Sequence, residues 1–322
     1  MCTAISVNGF FGRNLDYEYD FGEKICITPR DYTLNFTNGL YINSHYAIIG
    51  MALVSDNYPL YFDASNEKGL SMAGLNFPDN AFYNKNKEGK INISSYEFIL
   101  YILSQYDNID AVKKIIYDIN ITDMAYSSTL SPTPLHWIIS DKNQSITVEQ
   151  TKSGLNIFDN PIDILTNNPS FDMQMFNLNN YMSVTADEVQ NRFSNNLHLK
   201  PYSRGMGSIG LPGDFSSMSR FIRAAFVKEN CILGDDENEM VNSFFHLLYC
   251  VYQYKGCVKL NDEFEFTQYT SCCNTDKGIY YYTTYDNLSI NAVDMHKEDL
   301  NSDKLITYEL IRNQNIYSQN KE

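Results

Sequence analysis

Strand-like and helix-like stretches are segregated along this chain, and that order limits the folds open to it. Alternating or β-rich runs cover residues 3–8, 11–15, 24–28, 46–53 and 69–76, and helical patterns cover 96–106 and 110–119. A hairpin pattern follows at 135–140 and 145–150, with further strand runs at 155–158 and 162–167. Helices are expected from Met173, from Ser216 or Ser217, and over 238–253, before strands close the chain at 264–272, 278–285, 289–295 and 305–310. Separated blocks of this kind favour an α+β fold, two mainly antiparallel sheets face to face with helices outside in four αββα layers, over a doubly wound parallel sheet. Local signals agree: Ser94-x-x-Glu97 is a capping box, and Asn108 or Asp107 can cap the second helix.

No Pro-, Gly- or Ser-rich stretch, charge block or internal repeat divides the 322 residues, so residues 1–322 read as one domain. The longest apolar run, 46–54, falls far short of the roughly 20 residues a membrane helix requires. A basic region followed by a long apolar core is missing from the start, and the chain reads as a cytoplasmic protein. Its net charge of −15 argues against nucleic acid, and leaves any attraction for an anionic ligand to a few local arginines. The seven cysteines are odd in number and scattered, which suits reduced packing thiols. Cys272 and Cys273 are adjacent, without metal-ligand spacing, so no metal is expected. Of the histidines, His136 and His246 read as satisfied core imidazoles, and His45, His198 and His296 as isolated polar residues.

Cys2 stands directly behind the initiator methionine, at the very start of the first strand run. Aminopeptidases remove Met1 when so small a residue follows, and the trimmed chain then carries a thiol and a free α-amine on one residue. An unperturbed thiol titrates at about 8.5 and an α-amine at about 7.7–8.0. The thiol proton can therefore pass to the amine near neutral pH, and one residue supplies both nucleophile and base. By position alone Cys2 would be an ordinary buried cysteine.

Other motifs change that reading: Gly12-Arg13-Asn14-Leu15-Asp16, Gly74-Leu75-Asn76-Phe77-Pro78, Leu165-Thr166-Asn167-Asn168-Pro169, Gly210-Leu211-Pro212-Gly213-Asp214 leading into Ser219-Arg220-Phe221, Tyr269-Thr270-Ser271 and Gly278-Ile279-Tyr280-Tyr281-Tyr282. Singly these are an ion pair, a turn or a loop. Together, and in this order over the whole chain, they resemble the choloylglycine hydrolase family of bile salt hydrolases and penicillin V acylases, among the N-terminal nucleophile hydrolases. The resemblance implies Cys2 as nucleophile, Arg13 beside the thiol, Asp16 as the carboxylate holding the amine, Asn167 as oxyanion donor and Arg220 as second arginine. Asn76 matches a further oxyanion donor, read here as acting through its backbone N–H. The chemistry suits the residues, because losing one preorganised donor to an oxyanion costs about 10²–10³ in rate.

The implied reaction is hydrolysis of a secondary amide through an acyl-thioester, with no metal or organic cofactor. Asn76 resembles the bile salt hydrolase side of the family, so glycine- or taurine-conjugated bile acids are the expected substrates. Penicillin V or another N-acyl amide, acyl transfer to an amino acid, and a non-catalytic small-molecule binder stay open. Leu15, Phe62, Asn76 and the loop 124–130 are expected to line the steroid pocket. The turn Asn8-Gly9-Phe10-Phe11 is shorter than in many relatives and is expected at the site entrance. The glycine-punctuated excursion over 186–212 resembles an assembly loop and implies a homotetramer.

Overall fold

In a computed structural model, which describes residues 1–127 and 131–320, the segregated blocks become two large antiparallel sheets stacked face to face. The first runs Ile164–Leu165, Cys2–Val7, Phe10–Tyr17, Glu263–Asn274, Ile279–Thr284, Asn287–Asp294, with Val258–Leu260 added to the long strand. The second runs Gly154–Asp159, Ser145–Thr151, Leu135–Ser140, Ser71–Asn76, Tyr58–Asn66, Ile48–Ser55, Lys24–Thr28, Ile306–Tyr308. Period-two alternation sends each strand of the second sheet into two cores. Ile25, Ile27, Met51, Ala73, Leu75 and Ile138 face the first sheet. Cys26, Met72, Trp137 and Ile139 pack with the helices Phe98–Gln105 and Ile109–Ile115. Helices Ser217–Asn230 and Glu237–Tyr249 cover the far side of the first sheet through Phe221, Ile222, Phe244 and Leu248. The layers are therefore helix, sheet, sheet, helix, the α+β arrangement expected.

The strand Tyr58–Asn66 has no counterpart in the sequence reading. Its positions facing the other sheet include the buried polar residues Asp63 and Ser65, and Asn66 is buried on the helix side, which together erase the hydrophobic alternation. The second helical pattern stops at Ile115, passes through a 3₁₀ turn, and becomes the strand Ile119–Thr122, which pairs in parallel with Ile91–Ser94. Both caps form: the Ser94 N–H donates to Glu97 Oε2 at 3.3 Å, and Ala111 N–H to Asn108 Oδ1 at 2.8 Å. All seven cysteines are free, and Cys26, Cys272 and Cys273 are buried. His45 is buried, its ring nitrogens facing the carbonyls of Tyr46 at 2.7 Å and Tyr32 at 2.8 Å, whereas His246 faces solvent, so those two expectations are reversed. No helix among the described residues is long and apolar enough to cross a membrane.

Two features of the sheets position the site. Cys2 pairs with Leu15 at one end of the first hairpin, and Val7 pairs with Phe10 at the other. The short turn at Asn8 and Gly9, both with positive φ, therefore lies at the end remote from Cys2 rather than at a site entrance. Gly12 is required by a close approach: a Cβ there would lie 2.0 Å from the Ser271 carbonyl oxygen. Bulges then re-aim residues near Cys2, as bulges do beside functional sites. Met51 opposes Asp63 and Ala52 opposes Tyr61, leaving Phe62 as the extra residue. On the long strand, Asp16 opposes Thr267 and Leu15 opposes Tyr269, leaving Gln268.

Candidate active site

Cys2 is buried, with 3% of its surface exposed, and lines a cavity of about 240 Å³ between the two sheets. Its backbone is held from the opposite face of the strand. The Cys2 N–H donates to Asn167 Oδ1 at 2.7 Å. Arg220 Nη1 donates to the Cys2 carbonyl at 2.5 Å and to Thr3 Oγ1 at 2.6 Å, while Nη2 donates to Asn167 Oδ1 at 2.8 Å. Arg220 thus grips the backbone of Cys2 and not its thiol. Burial lowers the guanidinium's pKa from its ordinary value against the pull of Asp16 and Cys2. The loop before its helix is fixed by Asp214, whose carboxylate accepts from Ser216 N–H at 2.9 Å and Ser219 Oγ at 2.6 Å; the Ser216 hydroxyl, the Ser219 hydroxyl and then the Ser216 N–H bring its pKa down to about 2.

Arg13 occupies the thiol's side of the hairpin and is fully buried. Its Nη1 donates to the carbonyls of Phe62 at 2.9 Å and Gly74 at 2.7 Å, so the bulge at Phe62 supplies one of its anchors. Its Nη2 lies in the protein with no hydrogen-bond partner among the described residues. A buried guanidinium donor left unmade is costly, and Arg13 is one of the residues that line the cavity with Cys2. Burial opposes the charge on Arg13, but Cys2, Tyr269, Asp63 and Asp16 outweigh it and raise its pKa. Asp63 is the buried counter-charge, accepting from Tyr269 Oη at 2.6 Å, Tyr280 Oη at 2.7 Å and Ser271 Oγ at 3.0 Å. Burial nevertheless raises its carboxyl above the ordinary range.

Asn76 ends its strand beside the same cavity. Phe77 N–H bonds the Pro134 carbonyl at 2.8 Å, so the opposed pair Asn76 and Leu135 is a wide one whose peptide groups point away from each other. The Asn76 carbonyl accepts from Asn167 Nδ2 at 2.7 Å, and its N–H points to that same side. Asn76 and Asn167 are therefore brought together, one from each sheet layer. His136 steadies the approach: it stacks on Phe77 with centroids 4.2 Å apart and bonds the Thr166 carbonyl at 2.7 Å and Glu149 Oε1 at 3.1 Å. It is the satisfied core imidazole expected.

The Asp16 carboxylate faces away from the thiol. It accepts from Thr267 Oγ1 at 2.6 Å and Gln253 Nε2 at 3.2 Å, and lies 4.0 Å from Arg220 Nη1. Burial raises its pKa, against Arg220, the terminal ammonium and Thr267. Met1 continues the first strand: its ammonium donates to the Asp16 carbonyl at 2.5 Å, and Asp16 N–H donates to the Met1 carbonyl at 2.8 Å.

Leu15, Phe62 and Asn76 all line the cavity. Of the loop 124–130, Tyr126 contributes, and residues 128–130 lie outside the described residues. Sequence reasoning missed the rest of the aromatic wall, Tyr17, Tyr19, Phe21, Tyr61 and Tyr96. The rings of Tyr17, Tyr19 and Phe21 lie 4.7–4.9 Å apart, and Phe21 touches Phe62 at 5.3 Å. The signal was present: Arg13, Leu15, Tyr17, Tyr19 and Phe21 continue one period-two face past the end of the strand.

Residues 2–308 match the sequence model of linear amide C–N hydrolases, choloylglycine hydrolase family. The chain is 48% identical to a bile salt hydrolase/transferase of Lactiplantibacillus plantarum, over 99% of this chain and all of that one. It is 42% identical to a bile salt hydrolase/transferase of Clostridium perfringens, over 96% of each. Among solved structures, the C2A mutant of conjugated bile acid hydrolase from Clostridium perfringens superposes with a TM-score of 0.92 at 40% identity, covering 99% of this chain and 100% of that one. Penicillin V acylase from Agrobacterium tumefaciens shares the fold, with a TM-score of 0.76 at 18% identity over 96% of this chain and 91% of that one.

Proposed function

Because the chain belongs to the choloylglycine hydrolase family of linear amide C–N hydrolases, we propose that it is a bile salt hydrolase that cleaves the amide of glycine- or taurine-conjugated bile acids through an acyl-enzyme on Cys2. The observation that carries the reading is the single cavity lined by Cys2, Arg13 and a broad aromatic wall. An amphipathic steroid suits that wall, and its amide carbonyl suits the polar end.

Once Met1 is removed, the Cys2 thiol passes its proton to the α-amine and attacks the carbonyl carbon. Negative charge gathers on the oxygen, where the Asn76 N–H and the second N–H of Asn167 Nδ2 receive it. Asn167 is held for this by its bonds to the Asn76 carbonyl, Cys2 N–H and Arg220. The α-ammonium then protonates the departing nitrogen, the C–N bond breaks, and glycine or taurine leaves. Water, deprotonated by the same amine, attacks the thioester and frees the bile acid. Asp16, fixed by Thr267 and Gln253, balances the charge of the amine and Arg220.

Penicillin V and other N-acyl amides would use the same chemistry and differ in fit to the wall. A panel of glycine and taurine conjugates beside penicillin V is expected to show kcat/KM highest for a bile acid conjugate. Preference for penicillin V would reverse the substrate assignment, and ligand binding without turnover of any amide would make the protein a binder. The free cysteines, with Cys257 exposed, fit a cytoplasmic protein.

The excursion over 186–212 holds one 3₁₀ turn and exposes Phe193, Leu197, Leu199, Tyr202 and Ile209, with Phe193 and Tyr202 each 83% exposed. So much apolar surface on one loop supports assembly into a homotetramer of dihedral symmetry. Light scattering at micromolar concentration is expected to give the mass of four chains; a monomer would remove the assembly.

A further inference from the structure

Glu265 lies on the long strand two residues before Thr267, the residue that holds Asp16. It is 8% exposed, its Oε2 is 2.9 Å from the Met1 ammonium, and its Oε1 is buried with no hydrogen-bond partner among the described residues. Met1 is its ion-pair partner, and trimming takes that partner away. A buried carboxylate stripped of its counter-charge is strongly disfavoured. Trimming also creates a new cation close by, because the next backbone nitrogen along the chain is at most about 3.6 Å distant.

We propose that Glu265 is a positioning residue with two successive partners: it anchors the initiator ammonium in the untrimmed chain, and afterwards holds the Cys2 α-ammonium beside the thiol. The proposal rests on Cys2 acting as an N-terminal nucleophile, and it adds a second carboxylate to the amine's surroundings. The charged groups around that amine are Asp16 and Arg13 from the second strand, Arg220 from the helix Ser217–Asn230, and Glu265 from the long strand. Asn167, Gln253 and Thr267 complete the setting as neutral groups. Asp16 and Arg220 are opposite in sign and 4.0 Å apart, so they offset each other and leave the Glu265 charge to act on the amine. Its field already reaches both of them, opposing ionisation of Asp16 and favouring the charge on Arg220.

The first step moves one proton from the thiol to the amine, giving thiolate and ammonium. A carboxylate near the ammonium favours that state, and the state is lost when the ammonium gives up its proton at high pH. Removing the carboxylate makes that loss easier.

Glu265→Gln is isosteric and neutral, and Glu265→Asp keeps the charge but draws it back by one methylene. Intact mass should show Met1 removed from wild type and both variants. Against a conjugated bile acid, the alkaline limb of the kcat/KM profile for Glu265→Gln should move to lower pH by about one unit, the size of effect a nearby charge exerts. KM at low pH should stay within twofold, and Glu265→Asp should fall between the two. A variant profile that superimposes on wild type, or a loss confined to KM or thermal stability, overturns the positioning role. Should the glutamine variant not fold, an unmoved alkaline limb in Glu265→Asp overturns it equally. Failure of the nucleophile reading looks different: the wild type itself would keep Met1 or cleave no amide, and the proposal would fall with it.

Discussion

Cys2→Ala is expected to leave a folded, trimmed protein whose hydrolysis of conjugated bile acids is slower by at least about 10⁴-fold, since loss of the nucleophile in an acyl-transfer enzyme has cost about 10⁶. The change removes one sulfur. The bonds that fix residue 2 all use its backbone: N–H to Asn167 and carbonyl from Arg220, and alanine keeps both. The aromatic wall is untouched, so a conjugate should still bind with near wild-type affinity by calorimetry. Thermal melting should shift by only a few degrees. Turnover above one per cent of wild type would mean that another group attacks the carbonyl.

Asn167→Ala should give the next largest loss. Its Oδ1 is shared by Cys2 N–H and Arg220 Nη2, and its Nδ2 spans to the Asn76 carbonyl, so one side chain ties the first strand, the helix and the second sheet together. Losing the oxyanion donor should lower kcat by about 10²–10³, or about 2.7–4 kcal/mol in the barrier, with a small effect on KM. Truncation also strands Arg220 Nη2 in a fully buried position, which should cost about 1–3 kcal/mol of stability. Steady-state kinetics and a thermal melt separate the two effects. A change in KM alone would assign Asn167 to substrate binding rather than to the transition state.

The site was more legible than the walls around it. Cys2, Arg13, Asp16, Asn76, Asn167 and Arg220 stand in motifs whose order survives in one sequence, and the structure gathers all six around the first hairpin. What the motifs could not convey is the face each side chain takes. Arg13 shares the thiol's side, whereas Arg220 and Asp16 work from behind the strand, a division set by period-two alternation and the bulge opposite Asp16. The strand carrying Phe62 and Asp63 escaped because its inward face is polar, satisfied by Tyr269, Tyr280 and Ser271 from the other sheet. Partners more than 200 residues away leave no local periodicity. Tyr17, Tyr19 and Phe21 were readable as a continued face of the second strand, but the expectation stopped at Leu15, short of the strand's end at Tyr17. Glu265 had no motif of its own; only its contact with the Met1 ammonium exposes it.

The most direct measurement is intact mass of the purified protein, before and after acid-quenched incubation with one glycine-conjugated bile acid. A chain lighter by its initiator methionine, with a transient population heavier by one bile acyl group on Cys2, is the predicted result. Full turnover by a chain that still carries Met1 would contradict the account, because the amine would then be locked in a peptide bond and could not serve as the base.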